Sequence, residues 1–195
     1  MTLLALDGER SLSTTMPQAA LLQLEAARPT GLFALVDAAR DRAIYPWLKK
    51  LPVASCRSLY EMRDDPWLVV AYGPYLVEVS DESLESLCEL WGQSSVVFVA
   101  ARLPFLELRK HFRRFLLVRA DGRELHFRFY DPRVLTTFLN NAEPGELATF
   151  FGPIETFVVE TEDREGGLRF ARDSQGRLSR TLIGSPSTSP PQGEP

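Results

Sequence analysis

GLFALVDAA, residues 31–39, is the stretch that decides the fold, because it is short and almost wholly apolar. A run of this kind is typical of a strand that is buried inside a sheet. SSVVFVAA (94–101) repeats the pattern. Between and after these runs, residues 81–91 and 103–114 carry apolar side chains at helical spacing. The alternation of buried strands with amphipathic helices predicts an α/β fold, in which helices flank one sheet in a single domain.

The later part of the chain predicts a hairpin. FLLVRA (115–120) and ELHFRFY (124–130) have the composition of strands, and Asp121-Gly122 between them is a common turn signal. A hairpin adds antiparallel pairing to strands that are otherwise connected through helices. We therefore expect a mixed β-sheet, with IETFVVE (154–160) as its last strand.

Composition divides the chain into three parts. Residues 1–14 have no clear periodicity and predict a flexible lead-in. Residues 15–160 contain the predicted helices and strands and form the domain. Residues 161–195 are polar and rich in Gly, Ser and Pro, so we expect a largely disordered tail.

Charge and cysteine content narrow the choice of compartment and partner. The formal net charge is -4, so the chain as a whole has no electrostatic attraction for phosphate backbones. Cys56 and Cys88 are too few and too far apart for a disulfide framework, which fits a reducing compartment. No signal peptide and no apolar stretch long enough for a membrane span is recognisable. We expect a cytoplasmic protein with neither a nucleic acid nor a membrane as its partner.

Motifs of catalysis and of metal binding are missing from the sequence. It has no GxSxG elbow, no Gly-rich phosphate loop and no zinc-like spacing of His and Cys. We expect His111 to lie on a solvated helix face and His126 to be a hydrogen-bonded residue of a sheet. One basic cluster is expected to be the solvated face of the same helix: Arg109, Lys110, Arg113, Arg114 and Arg119. The sequence thus predicts no catalytic residue, no metal and no cofactor.

RFYDPRVL, residues 128–135, is the densest local feature. Asp131 is placed to cap a helix, with Pro132 at the first helical position, where a missing N–H costs nothing. Arg128 and Arg133 flank the Asp131 carboxylate and can pair with it. We interpret these four residues as a structural corner that fixes the passage from a strand to a helix.

Five segments occur in an order that resembles a known family: LFALVDAARD (32–41), GPYLVEVS (73–80), a helix that ends at Trp91, RFYDPRVL (128–135) and FFGPIETF (150–157). Together they are similar to a bacterial family of domains of unknown function whose members act as adaptors, or effector chaperones, of the type VI secretion system. The resemblance covers about residues 31–157, and its most specific signal is the RFYDPRVL corner combined with GPYLVEV.

The resemblance implies a non-catalytic adaptor. Such a protein binds a cognate toxic effector in the cytoplasm and promotes its loading onto the valine–glycine-repeat spike, so effector and spike are its expected partners. Two other functions stay open. One is an immunity protein that binds and inhibits a toxin, and the other is a hydrolase that uses a pair of carboxylates.

Two surfaces are candidates for partner binding. Aromatic residues are crowded between positions 45 and 72 with broken periodicity, and aromatic side chains are common anchors of interfaces. The five candidates are Tyr45, Trp47, Tyr60, Trp67 and Tyr72. Alternatively, the hairpin strand at residues 124–130 could accept an effector segment by strand addition.

Overall fold

The computed structural model describes residues 16–60, 70–120, 122–173 and 175–184. Its helices are α1 (Gln18–Ala27), α2 (Ile44–Leu48), α3 (Asp81–Cys88), α4 (Phe105–Arg113), α5 (Pro132–Asn141) and α6 (Pro144–Phe151). Its strands are β1 (Leu32–Asp37), β2 (Cys56–Ser58), β3 (Pro74–Glu78), β4 (Val96–Ala101), β5 (Leu117–Ala120), β6 (Arg123–His126), β7 (Ile154–Glu160), β8 (Gly167–Arg172) and β9 (Leu178–Ile183). The predicted lead-in, residues 1–14, lies outside the described residues. Within the described ranges, no helix is both long and apolar enough to cross a membrane.

Seven strands form one sheet in the order β2-β3-β1-β4-β7-β8-β9, and helices cover both of its faces. The predicted α/β fold, a single domain with helices flanking a sheet, is confirmed. The sheet is antiparallel at every pairing between described strands, whereas a mixed sheet was expected. Continuous apolar runs led to this error, because they report burial on both faces of a strand rather than its direction.

Each face of the sheet carries its own hydrophobic core. On the first face, Leu32, Ala34 and Val36 of β1 pack in a cluster with residues of α1, α2 and α3. On the second face, Phe33 and Leu35 pack in a cluster with residues of α4, α5 and α6. Every residue of β1 is therefore buried. This includes Asp37 at the end of the strand, whose carboxylate has no solvent beside it on either face.

The segment that begins at residue 161 corrects the predicted tail. Instead of a largely disordered tail from 161 onward, residues 167–172 and 178–183 form β8 and β9 and extend the sheet beyond β7. Leu168 and Phe170 lie on either side of the partly exposed Arg169 and are both buried. Composition averaged over the whole segment hid this short alternation. Residues 185–195 lie outside the described residues.

The predicted hairpin is confirmed, but it stands apart from the main sheet. In the part of the chain that the structure describes, β5 and β6 pair only with each other, and Gly122 adopts a positive φ of 74° in the turn between them. β6 ends at His126, four residues before the predicted end of the strand. The strand stops there because the next residues turn into the core: Phe129 is fully buried and stacks on Phe112, with 5.4 Å between ring centroids.

Candidate functional site

Two buried carboxylates meet at the end of the sheet where β1 finishes. Asp37 is the last residue of β1, and its Oδ1 accepts a hydrogen bond of 3.1 Å from the Ala39 N–H. Asp131 caps α5 as predicted, because its side chain accepts a hydrogen bond of 3.1 Å from the Arg133 N–H. Pro132 occupies the first turn of α5, also as predicted. The side chains of both carboxylates are only 2% exposed, so each needs a charged or hydrogen-bonding partner.

Three arginines supply those partners. Arg128 Nη2 lies 2.9 Å from Asp37 Oδ2. Arg133 holds Asp131 through two contacts, with 3.0 Å from Nε to Oδ1 and 2.8 Å from Nη2 to Oδ2. Arg40 joins the two carboxylates, because it hydrogen-bonds Asp131 and its Nε lies 3.4 Å from Asp37 Oδ2. We call these five residues the arginine–aspartate network.

The pKa values show that charge pairing dominates in this network. Burial acts to raise the pKa of Asp131, but hydrogen bonds from Arg133 and the charge of Arg40 outweigh it and hold the pKa below its usual value. The hydrogen bond to Asp131 raises the pKa of Arg133. Burial acts to lower the pKa of Arg128, but the pairing with Asp37 leaves it raised. Asp131, Arg128 and Arg133 are therefore charged at neutral pH.

The network is open to solvent on its arginine side. The side chains of Arg40, Arg128 and Arg133 are 25%, 46% and 55% exposed, while both carboxylates are hidden beneath them. Three cations above two anions leave one positive charge in excess. An outer surface of this kind can bind a carboxylate or a carbonyl of another molecule, because guanidinium groups carry several N–H donors in a fixed plane.

Two of the five predicted aromatic residues lie at this end of the sheet. Tyr60 interacts with Tyr130, whose ring lies 5.8 Å from the Arg128 guanidinium carbon. Tyr72 is about half exposed, and the carbonyl of the adjacent Gly73 accepts a hydrogen bond of 3.3 Å from the N–H of Ala38. Both tyrosines thus belong to segments that border the arginine–aspartate network.

The other predicted aromatic residues do not join them. Tyr45 and Trp47 lie on α2 and pack partly buried against the core of the first face. The Tyr45 ring contacts Tyr75, with 6.2 Å between ring centroids. Trp67 lies outside the described residues. The four described candidates therefore divide between two places and do not form one continuous aromatic patch.

The basic helix α4 uses part of its charge inside the fold. Arg109 donates hydrogen bonds to the carbonyl of Ser58 at 2.7 Å and to that of Tyr60 at 3.2 Å. Arg113 donates one of 2.9 Å to the carbonyl of Leu59. These two arginines bind the end of β2 and the residues after it to α4, so they are not simply the solvated face that the sequence predicted.

His111 is buried, which corrects the expectation of a solvated histidine. Its Nε2 lies 2.8 Å from the Phe150 carbonyl, and its Nδ1 lies 2.7 Å from Arg114 Nη2. Burial lowers the pKa of His111, and only the neutral ring can donate to Phe150 while it accepts from Arg114. The ring also fills the space beside Gly152, which has a positive φ of 48°. His111 therefore acts as a structural link between α4 and the end of α6.

Glu160 at the end of β7 is a third buried carboxylate, and the sequence analysis missed it. It accepts hydrogen bonds from the Gly92 N–H, from the Ser94 N–H at 2.9 Å and from the Ser94 hydroxyl at 3.0 Å. Burial raises the pKa of Glu160, although these hydrogen bonds act to lower it. Ser94 has a positive φ of 54°, so the carboxylate holds a turn in a conformation that is uncommon for serine.

In the described part of the chain, no group of three or more His, Cys, Asp and Glu residues is placed to hold a metal ion.

Comparison with known proteins identifies a family. Searches of the curated proteins and of the solved structures found no match. The family model described as "Domain of unknown function (DUF4123)" matches residues 32–149, which is more than half of the chain. The chain is thus an α/β domain with an ion-pair network built on two buried carboxylates, and it belongs to the DUF4123 family.

Proposed function

We propose that this protein is a non-catalytic adaptor, which binds a cognate toxic effector in the cytoplasm and promotes its loading onto the type VI secretion spike. The family is known in contexts associated with type VI effectors, which supports a role beside such a toxin. The resemblance of the quoted segments to adaptors of this system supports the same role.

The observation that carries the proposal is the convergence of two of those segments. LFALVDAARD contributes Asp37 and Arg40, and RFYDPRVL contributes Arg128, Asp131 and Arg133. The segments are far apart in sequence, yet they build one network with an exposed positive surface. The buried carboxylates need these partners, but the arginine heads are themselves 25–55% exposed, so they can also donate hydrogen bonds to another molecule.

The proposed role of the network is to present its arginines to the effector. Arginine and tyrosine are common anchors at the centre of protein interfaces, and both types lie here side by side. The buried carboxylates of Asp37 and Asp131 hold the guanidinium groups in fixed orientations. Less side-chain freedom is then lost on binding than for an unsupported arginine.

Co-purification from the native bacterium tests the proposal. The tagged full-length chain should recover the toxin encoded beside the spike gene, and deletion of the adaptor gene should abolish delivery of that toxin while the spike is still secreted. The double variant Arg128→Ala, Arg133→Ala should weaken toxin binding about tenfold or more. Arg119→Ala removes an exposed arginine of the β5–β6 ribbon and is the matched control.

Other results point to the alternatives. If the chain blocks the toxic activity of its partner in a purified assay and leaves delivery unchanged, it is an immunity protein. If no toxin is recovered and a single carboxylate change abolishes a hydrolytic activity of the folded chain, the hydrolase interpretation holds instead.

A further inference from the structure

The outermost strand of the sheet, β9, is exposed on both of its faces. Residues 179–182 all lie in solvent, and Leu182 is 55% exposed. Ile183 is the buried exception at the end of the strand. Since the side chains of a strand alternate between faces, exposure of four consecutive residues means that no described helix covers this strand. Among the described residues, β9 is therefore an open edge of the sheet.

The hydrogen-bond pattern shows which backbone groups face outward. The Asp173 N–H donates a bond of 2.9 Å to the Arg177 carbonyl, and this bond starts the ladder between β8 and β9. In an antiparallel ladder, every second residue bonds to the partner strand and the residues between them point away. The outward positions are therefore Leu178, Arg180 and Leu182. Their N–H and C=O groups are available to an added strand.

The charge of this edge is opposite to that of the chain as a whole. Residues 167–184 hold four arginines and one aspartate, a net charge of +3, although the chain carries -4. The aspartate, Asp173, is paired with Arg177 at 2.9 Å. A groove of about 530 Å³ opens beside the same hairpin, and its lining holds Arg169 and Arg172 together with Glu155 and Asp173. The charges in the groove are balanced, so the excess positive charge belongs to the hairpin itself, and on β9 it is carried by Arg180.

The positive charge of Arg180 favours an acidic segment over a second copy of the chain as the binding partner of the β9 edge. A second copy of the chain that paired its own β9 antiparallel would bring the two Arg180 side chains close together. Like charges at neighbouring cross-strand positions are destabilising. An extended segment with acidic side chains would gain both the free backbone hydrogen bonds and attraction to Arg180.

We propose that the β9 edge binds an extended, acidic segment of a partner protein by strand addition. This inference rests on the proposed adaptor function, in which the toxin supplies the segment. β9 is better suited than the ribbon strand β6, which has four residues and belongs to a two-stranded sheet. β9 has six residues and is anchored in the seven-stranded sheet, so an added strand would extend a rigid template.

A peptide selection tests the edge without knowledge of the toxin. The full chain is used to select binders from a phage-displayed library of random peptides about twelve residues long, and binding of the selected peptides is then measured by fluorescence polarisation. We expect enrichment of peptides with Asp or Glu beside β-branched residues. Arg180→Glu should weaken their binding about tenfold, because attraction becomes repulsion. The same reversal on the ribbon, Arg119→Glu, is the matched control and should have no effect.

Two variants of Leu182 separate the contribution of its backbone N–H to peptide binding from that of its side chain. Leu182→Pro removes an outward N–H and is compatible with an edge position, while Leu182→Ser removes the apolar side chain and keeps the N–H. Strand addition requires the proline variant to bind at least about tenfold more weakly than the serine variant. Circular dichroism checks that both are folded, and Arg180→Glu decides alone if the proline variant is not.

Besides equal binding by the proline and serine variants, three kinds of result would overturn the inference. The first is a selection without acidic peptides, or binding that Arg180→Glu leaves unchanged. The second is self-association of the chain in sedimentation that Leu182→Pro abolishes, since the occupant would then be a second copy. The third is a variant ending at Gly184 that binds peptides more than about tenfold better, since the chain's own C-terminal residues would then occupy the edge.

The same experiments separate this inference from the proposed function. Acidic peptides that bind at β9 while no toxin co-purifies would support the edge site and contradict the adaptor role. A toxin that co-purifies equally well with the Arg180→Glu chain, together with a failed selection, would support the adaptor role and contradict the edge site.

Discussion

Asp131 and Glu160 are both buried carboxylates, but their hydrogen-bond donors differ in charge. Asp131 accepts hydrogen bonds from two guanidinium groups, and its pKa is lowered in spite of burial. Glu160 contacts two backbone N–H groups and one hydroxyl, and its pKa is raised. Burial acts in the same direction at both sites. The charge of the donors therefore decides whether the ionised form is favoured or disfavoured.

The two sites also differ in their access to solvent. The arginines around Asp131 reach the surface, whereas both residues that donate to Glu160 are buried or nearly so. A guanidinium group that is held by a buried carboxylate and is itself exposed to solvent can bind a partner. The donors of Glu160 are enclosed, so this carboxylate holds a turn. This difference is why we place partner binding at the arginine–aspartate network and a structural role at Glu160.

Removal of Asp131 should give the largest effect. Asp131→Ala removes the cap of α5 and leaves Arg40 and Arg133 without their shared carboxylate, so we expect the free energy of unfolding to fall by about 2–3 kcal/mol. This is below the usual cost of breaking a fully buried pair, because the arginines are partly hydrated. Urea denaturation measures the change, and Glu124→Ala, which breaks an exposed pair with Arg119, should cost less than about 0.5 kcal/mol.

Replacement of Glu160 by its neutral isostere should have a smaller effect. Glu160→Gln keeps the shape but turns one acceptor into an N–H₂ group, which cannot accept from the Gly92 or Ser94 donors. We expect a loss of about 1 kcal/mol in the free energy of unfolding, close to the value of one hydrogen bond. A loss equal to that of Asp131→Ala in the same urea experiment would contradict the distinction between the two sites.

The pH dependence of stability should separate the two carboxylates by sign. The folded pKa of Asp131 lies below 3.8, so its stabilising contribution is complete above pH 3.8 and is lost as the pH falls through the folded pKa. The folded pKa of Glu160 lies above 4.5, so stability falls as the pH rises from 4.5 through that pKa. Stability curves from pH 3 to 7 should show that Glu160→Gln removes this fall relative to the native chain.

His111 does not disturb this comparison. Its lowered pKa makes stability fall as the pH decreases from 6.5, but the effect is the same in the native chain and in Glu160→Gln. The difference between the two curves therefore isolates Glu160. If the difference is flat across the whole range, the raised pKa of Glu160 is wrong.

A conservative change at Arg133 should give the smallest effect on stability. Arg133→Lys keeps the positive charge but loses the two-point contact with Asp131, and the side chain is more than half exposed. We expect a loss of about 0.5 kcal/mol, together with a clear loss of effector binding if the guanidinium group contacts the effector. Unchanged binding by Arg133→Lys would show that any cation serves at this position.

Much of the corner at residues 128–133 was predictable from the sequence, whereas the contacts of Asp37, Arg40 and Glu160 were not. Asp131, Pro132 and Arg133 are close in sequence, so the cap and its ion pair follow from local geometry. Asp37 and Arg40 come to the same place only because β1 ends beside the start of α5. Glu160 had no local signal at all, since its donors lie on a turn that a different strand brings to it.

The sequence by itself determined the α/β class, the main helices, the hairpin turn and the capped corner, because each depends on neighbouring residues or on a short period. Only the tertiary structure decided the antiparallel order of the strands, the place of β8 and β9 in the sheet and the meeting of Asp37 with Asp131. Burial patterns record how deeply a strand lies but not which strand lies next to it. Strand direction and long-range ion pairs therefore become visible only when the whole chain is folded.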